Sequence, residues 1–280
     1  MSYKSILTVW DGKKSSLSAL RKAISLTVQA EGHLHIICPA YITILQTQAY
    51  PYMGFPENLN DQERSKAEQA VKELAAEAEK LANEDLIFYS IETAIINRDQ
   101  LADLMSHTAK FCDLAVLPRP FGYGRTETDE KITESTLLAS ECPVLSVPAE
   151  DKSHKNAHAV IAWDGSEQSL RAVRAAMPLL REASNVDIVI VTNSKRAIQQ
   201  AEVSSDIAVF LARHRVKVEV AILAKTSATV SDIILSHVLD VDASLIVMGG
   251  YGHSPLREFF FGGPTRNIMQ NCNAPILLAH

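Results

Sequence analysis

Three stretches of this sequence carry residues suited to holding a phosphorylated ligand. Met248-Gly249-Gly250-Tyr251-Gly252-His253 sets glycines at positions 249 and 252, and Gly262-Gly263-Pro264-Thr265-Arg266 follows at the start of a predicted helix. Glycines let backbone N–H groups come close to an anion, and a helix start adds unpaired donors and the positive end of a dipole. Arg266 offers charge-assisted contacts. The third stretch, Ala162-Trp163-Asp164-Gly165, ends an apolar run, and Asp164 can accept hydrogen bonds from a sugar hydroxyl or an adenine amine. Together these describe a nucleotide pocket without GxxxxGK[ST] and without GxGxxG after the first strand. No GxSxG or HExxH occurs, and no carboxylate pair marks a general acid and base.

The elements that must position these residues alternate. In the second half, Ala159–Trp163 reads as a strand closed by the Asp-Gly turn, with Ser166 capping a helix that carries Leu170, Val173 and Met177 on one face. Residues 187–192 form a second strand whose end, near Val191, borders the adenine position. A helix over 198–214, a strand over 216–223, a helix over 229–239, a strand over 244–248 ending at Met248, a short helix over 264–271 and a last strand over 275–279 complete the pattern. Such alternation demands a mostly parallel sheet with helices on both faces, with ligands beyond the carboxyl ends of the strands.

The chain repeats itself. Residues 6–26 and 159–179 align without gaps with nine of twenty-one positions identical, including Trp10-Asp11-Gly12 and Trp163-Asp164-Gly165. Cys142-Pro143-Val144-Leu145 and Ala274-Pro275-Ile276-Leu277 close the two copies. The expected domains are 1–149 and 157–280, joined by a polar linker. The first copy adds a segment over 42–62, expected as a long loop with Tyr41, Tyr50, Tyr52, Met53 and Phe55 packing over its own domain or lining an apolar pocket. A helix over 65–84 follows.

The Gly249-x2-Gly252-x9-Gly262 spacing, with the Asp164-Gly165-Ser166 turn and the closing Ala274-Pro275-Ile276-Leu277 strand, resembles the nucleotide loop of the universal stress protein family. The resemblance covers the chain as two tandem domains. It implies two open, parallel, five-stranded α/β sheets of the adenine nucleotide alpha hydrolase-like, Rossmann-like kind. It further implies an intramolecular pseudo-dimer in which strands 143–148 and 275–279 meet antiparallel. It also implies an adenine nucleotide, AMP, ADP or ATP with or without Mg, and a sensor or regulator of stress responses rather than a metabolic enzyme. The adenine is expected near Ala162, Trp163, Asp164, Gly165, Val191 and Met248. The phosphates are expected on Gly249, Gly252, His253, Gly262, Gly263, Thr265 and Arg266. The alternatives are weak ATP hydrolysis at Asp164 and a ligand-free dimerisation module.

The match departs from the family pattern where Gly263 replaces a Ser or Thr and Pro264 removes a backbone N–H. A shorter ligand than ATP is therefore expected. The first copy departs further, with Pro118 and Phe121 at the places of Gly249 and Gly252, and Glu130 and Lys131 at those of Gly262 and Gly263. No phosphate site is expected there, and Asp11 reads as a turn residue. Trp10 and Trp163 are read first as packing residues, with adenine stacking as the alternative. Glu57, Asp61 and Glu63 suit a helix start.

Composition narrows the function classes. The 280 residues carry 27 basic and 33 acidic side chains, a formal charge of −6, and no basic stripe, which argues against nucleic acid. Apolar runs fall well short of the roughly 18 residues that cross a bilayer. The four cysteines form no CxxC pair and read as reduced, buried thiols, so a cytoplasmic protein is expected. A homodimer of the whole chain remains an open expectation.

Overall fold

The computed structural model describes residues 2–42, 57–122, 125–150, 157–192, 197–225, 228–250 and 263–280. The first half runs β1 (Ser5–Val9), α1 (Lys14–Ala30), β2 (His33–Tyr41), α2 (Glu57–Glu84), β3 (Phe88–Ile96), α3 (Arg98–Ala109), β4 (Leu114–Pro118), α4 (Glu127–Ser140) and β5 (Val144–Val147). The second runs β6 (His158–Ala162), α5 (Glu167–Ala175), α6 (Met177–Glu182), β7 (Asn185–Thr192), α7 (Ala197–Arg213), β8 (Val218–Ala224), α8 (Val230–Asp240), β9 (Leu245–Gly249), α9 (Gly263–Asn271) and β10 (Ile276–Ala279).

Local chemistry explains most boundaries. Ser166 accepts a hydrogen bond from the Ser169 N–H at the head of α5. Capping boxes open α3 (Asn97, Gln100), α4 (Thr126, Asp129) and α8 (Thr229, Asp232). Asp-Gly turns follow β1 and β6, where Gly12 (φ 76°) and Gly165 (φ 79°) take left-handed backbone that favours glycine.

Two elements differ from expectation. The helix expected over 65–84 already begins at Glu57, so positions 57–62 belong to α2 rather than to a loop. The helix expected to carry Leu170, Val173 and Met177 divides at Ala176 into α5 and α6, because Pro178 has no N–H to continue it. Positions 43–56, including Tyr50, Tyr52, Met53 and Phe55, lie outside the described residues.

The ten strands among the described residues form one sheet, in the order β3-β2-β1-β4-β5-β10-β9-β6-β7-β8. Within each half every pairing is parallel. The halves join through β5 and β10, antiparallel, with Val144 opposite Leu278, Leu145 opposite Leu277 and Ser146 opposite Ile276. Each half thus covers the edge the other would leave open.

The apolar core follows the pleat. On one face, Ile6, Leu34, Val116, Leu145, Ile161, Ile188 and Leu277 pack beneath α1, α2, α5, α6 and α7. On the other, Leu7, Ile37, Leu117, Val144, Val189, Ile246 and Leu278 pack beneath α3, α4, α8 and α9. Both clusters run through both halves, which is why the strands read as continuous apolar runs rather than alternating ones. All four cysteines are free thiols, and Cys38, Cys142 and Cys272 are buried. Among the described residues, no helix is long and apolar enough to cross a membrane.

Candidate functional site

Each half changes the direction of its strand order once. In the second half the change falls between β6 and β9, which run parallel with Ala162 beside Met248. Ligands in open parallel sheets bind at this switch point, beyond the carboxyl ends of the strands. Asp164, Gly165, Gly249 and Gly250 leave the sheet at that edge, and α9 begins at Gly263. Gly252, His253 and Gly262 lie outside the described residues.

Asp164 is exposed, and its Oδ1 accepts from the Ser166 N–H at 2.9 Å and the Ser166 hydroxyl at 2.6 Å. This carboxylate therefore builds the turn into α5 as well as facing outward. Gly249 is held by packing. A Cβ there would meet the Ser169 nitrogen at 2.7 Å, so glycine is what lets α5 settle on β9. A Cβ on Gly250 would meet Leu137 of α4 at 2.9 Å, so the first half reaches this edge of the second. Among the described residues, a Cβ on Gly263 would meet nothing within 4 Å at the start of α9.

The sheet separates residues that the sequence placed around one adenine. Ala162, Val191 and Met248 pack on the face covered by α8 and α9. The Trp163 ring packs on the opposite face, with α5, α6 and α7. Its counterpart Trp10 is 4% exposed on the equivalent face of the first half. Both indoles pack against the core on that face. The alternation of β6 explains it, since Ile161 and Trp163 share a face that Ala162 does not.

Thr265 is buried at the head of α9, while Arg266 turns toward the first half. Its Nη2 donates to Glu130 Oε1 at 3.2 Å, and its guanidinium lies 5.2 Å from the centre of the Phe121 ring. Glu130 was expected to repel phosphate within its own half; its carboxylate instead crosses to α9. Burial raises the Glu130 carboxyl above the usual range, against the pull of Arg266 and with the push of Glu127. Burial, then Glu130, raises Glu134 one turn on.

The corresponding position in the first half is filled from within. The Arg125 guanidinium, 3% exposed, donates to Asp129 Oδ1 at 2.8 Å and to the Ser15 hydroxyl at 2.5 Å, and lies 3.9 Å from Asp11 Oδ2. Asp11 also accepts from Ser16 Oγ and the Lys13 N–H, and pairs with Lys13 Nζ at 3.0 Å. Burial pushes the Asp11 carboxyl up. The hydrogen bonds of Ser16 and Lys13 and the charges of Lys13 and Arg125 outweigh that and hold it below the usual carboxylate range. Asp11 is thus the turn residue its sequence suggested, now inside an ionic network. The remaining space, bordered by Val9, Asp11, Tyr41 and Arg125, is about 20 Å³, room for one water rather than a nucleotide.

Sequence reasoning missed three groups. Arg125 is one. Arg119, directly after β4, is 6% exposed and donates across the join to the Cys272 and Ala274 carbonyls, the latter at 2.6 Å. The third is Asp187, whose carboxylate lies 3.0 Å from His158 Nε2 and 2.7 Å from His237 Nε2. An aspartate inside an otherwise apolar strand was the available signal. That cluster ties β6, β7 and α8 together at the amino ends of the strands, away from the switch point. No group that could hold a metal ion occurs among the described residues.

Comparison with known proteins agrees with this architecture. The Universal stress protein family model matches residues 156–280. A universal stress protein from Archaeoglobus fulgidus DSM 4304 superposes with a TM-score of 0.70 at 14% identity, covering 99% of this chain and 98% of its own. A functionally unknown protein from Pseudomonas aeruginosa PAO1 gives a TM-score of 0.60 at 16% identity, covering 99% and 92%. No curated protein matches the chain. At these identities the two structures speak for the fold, and the sequence match speaks for the second half: residues 156–280 carry a domain of the universal stress protein family.

Proposed function

We propose that the protein is a tandem universal stress protein, with domains at 1–149 and 157–280. In this reading its second domain binds an adenine nucleotide and acts as a cytoplasmic sensor or regulator. One observation carries the reading: the two switch points differ. The second keeps exposed Asp164 and, among the described residues, open space around Gly263 at the α9 start, while Arg125 and its carboxylates occupy the first. The adenine would lie along Ala162, Val191 and Met248, with the ribose at Asp164. The phosphates would lie at the N–H groups of Gly263 and Thr265.

Pro264 provides no N–H between them, so the reading favours AMP or ADP over ATP. Nucleotide released from denatured, freshly purified protein, identified by chromatography, tests it. One equivalent or less per chain of AMP or ADP is expected. Protein that is empty and shows no thermal shift with any adenine nucleotide would refute it. That outcome would favour the ligand-free dimerisation reading, which has its own support: Gly249 is required by α5, and Asp164 by the turn.

A further inference from the structure

We infer that Glu130, supplied by the first half, sets the charge preference of the second half's site by holding Arg266 and placing an anion beside α9. The inference rests on the nucleotide reading above. Arg266 is the basic residue of α9, whose sequence GPTRNIMQN contains no acid. An arginine at that position would ordinarily serve a phosphate at the helix start. Here it is taken twice by the first half, through the Glu130 carboxylate at 3.2 Å and the Phe121 ring at 5.2 Å.

Glu130 is well placed to hold it. Its side chain is 16% exposed against 43% for Arg266, so the carboxylate is the more fixed member of the pair. Glu127 and Glu134 lie one turn to either side on α4; burial first raises the carboxyls of Glu130 and Glu134, with smaller pushes from Glu127 on Glu130 and from Glu130 on Glu134. The first half therefore presents the Glu130 carboxylate to Arg266 of α9, with Glu127 and Glu134 flanking it on α4. The anion that the helix dipole and Arg266 would draw from a ligand is already provided in part by the protein.

A nucleotide approaching α9 must share or displace that carboxylate. Each additional phosphate charge within a Debye length of Glu130 weakens binding by about two- to fivefold at low salt. Adenosine, without phosphate, does not feel it. The pair thus selects against polyphosphates independently of Pro264. It also makes ligand affinity depend on how the two halves sit against each other.

The test compares wild type with Glu130→Gln and Glu130→Ala by titration calorimetry with adenosine, AMP and ATP, in magnesium-free buffer at low ionic strength. Thermal melts confirm that each variant is folded. The expected result is an ATP-to-AMP affinity ratio about tenfold higher in both variants, with adenosine unchanged and the difference shrinking in high salt. Binding with an unchanged ratio overturns the role of Glu130 and leaves the nucleotide site standing. An equal gain for all three ligands also overturns it, since that marks loosened packing. Absence of binding by wild type and variants alike overturns the site itself, and the role with it.

Discussion

Arg125→Met removes the cation that fills the first half's switch point while keeping most of the side-chain volume. Asp129 loses a 2.8 Å partner and Ser15 loses its donor, while Asp11 keeps Lys13 at 3.0 Å. Breaking a fully buried pair costs about 3–5 kcal/mol. The Asp129 side chain is 15% exposed and Asp11 retains one cation, so the expected loss is about 2–4 kcal/mol at pH 7. The pH dependence separates this mechanism from simple cavity formation. Asp11 is held below the usual carboxylate range in the folded chain, so its contribution is present above that range and lost as pH falls through the folded value. In the variant the folded Asp11 rises, and the penalty for its charge disappears once it is protonated. Urea unfolding at pH 7 and at about pH 3.5 should therefore show the loss shrinking in acid. A loss below about 1 kcal/mol at pH 7, or an equal loss at both pH values, would refute the claim that Arg125 is an electrostatic plug.

Gly249→Ala should destabilise by about 1–3 kcal/mol in urea with no ligand present, because its Cβ meets the Ser169 nitrogen at 2.7 Å. Neutral behaviour would show that α5 can move away freely. Arg119→Met should cost about 1–3 kcal/mol by leaving the buried Cys272 and Ala274 carbonyls without their donor, with protease sensitivity rising near the join. An unchanged cleavage pattern and stability would remove its role as a latch. Burial pushes the Cys38 and Cys142 thiols up to about 12, the latter also through Cys112, so both should resist iodoacetamide at pH 8 in native protein and react after denaturation. Native labelling at either position, read by peptide mass, would contradict this.

The repeat of Trp-Asp-Gly, the apolar runs and the closing Pro-containing strands made the alternating fold and the β5–β10 join legible, because they reflect local periodicity and edge pairing. Pro178 was also visible, yet its break between α5 and α6 was overlooked. Other features were beyond local reading. The face of Trp163 depends on the exact end of β6. Arg119, Arg125 and Glu130 act on residues more than one hundred positions away, or on a network assembled from three segments. A charge in a loop has no periodic signature, so nothing singled out Arg125, and Glu130 read as a repulsive replacement. The second half's Asp164 and Gly263 were proposed from pattern, whereas the Arg266–Glu130 pair beside them emerges only when the halves meet.

The single ten-stranded sheet also constrains how copies of this chain could meet. Its outer strands are β3 and β8, separated by nine strand-to-strand steps. At about 20–25° of twist per step, those strands are turned by roughly half a revolution relative to each other. The molecule is in effect a short screw with two equivalent ends. Joining like ends, β8 to β8, would close about a new two-fold axis, while joining β3 to β8 would advance the screw without closure and build a filament. Each end carries a glutamate within its strand, Glu92 in β3 and Glu219 in β8. Like charges opposed at a β8–β8 contact, and acids on both sides of a β3–β8 contact, act against propagation of the sheet beyond one chain.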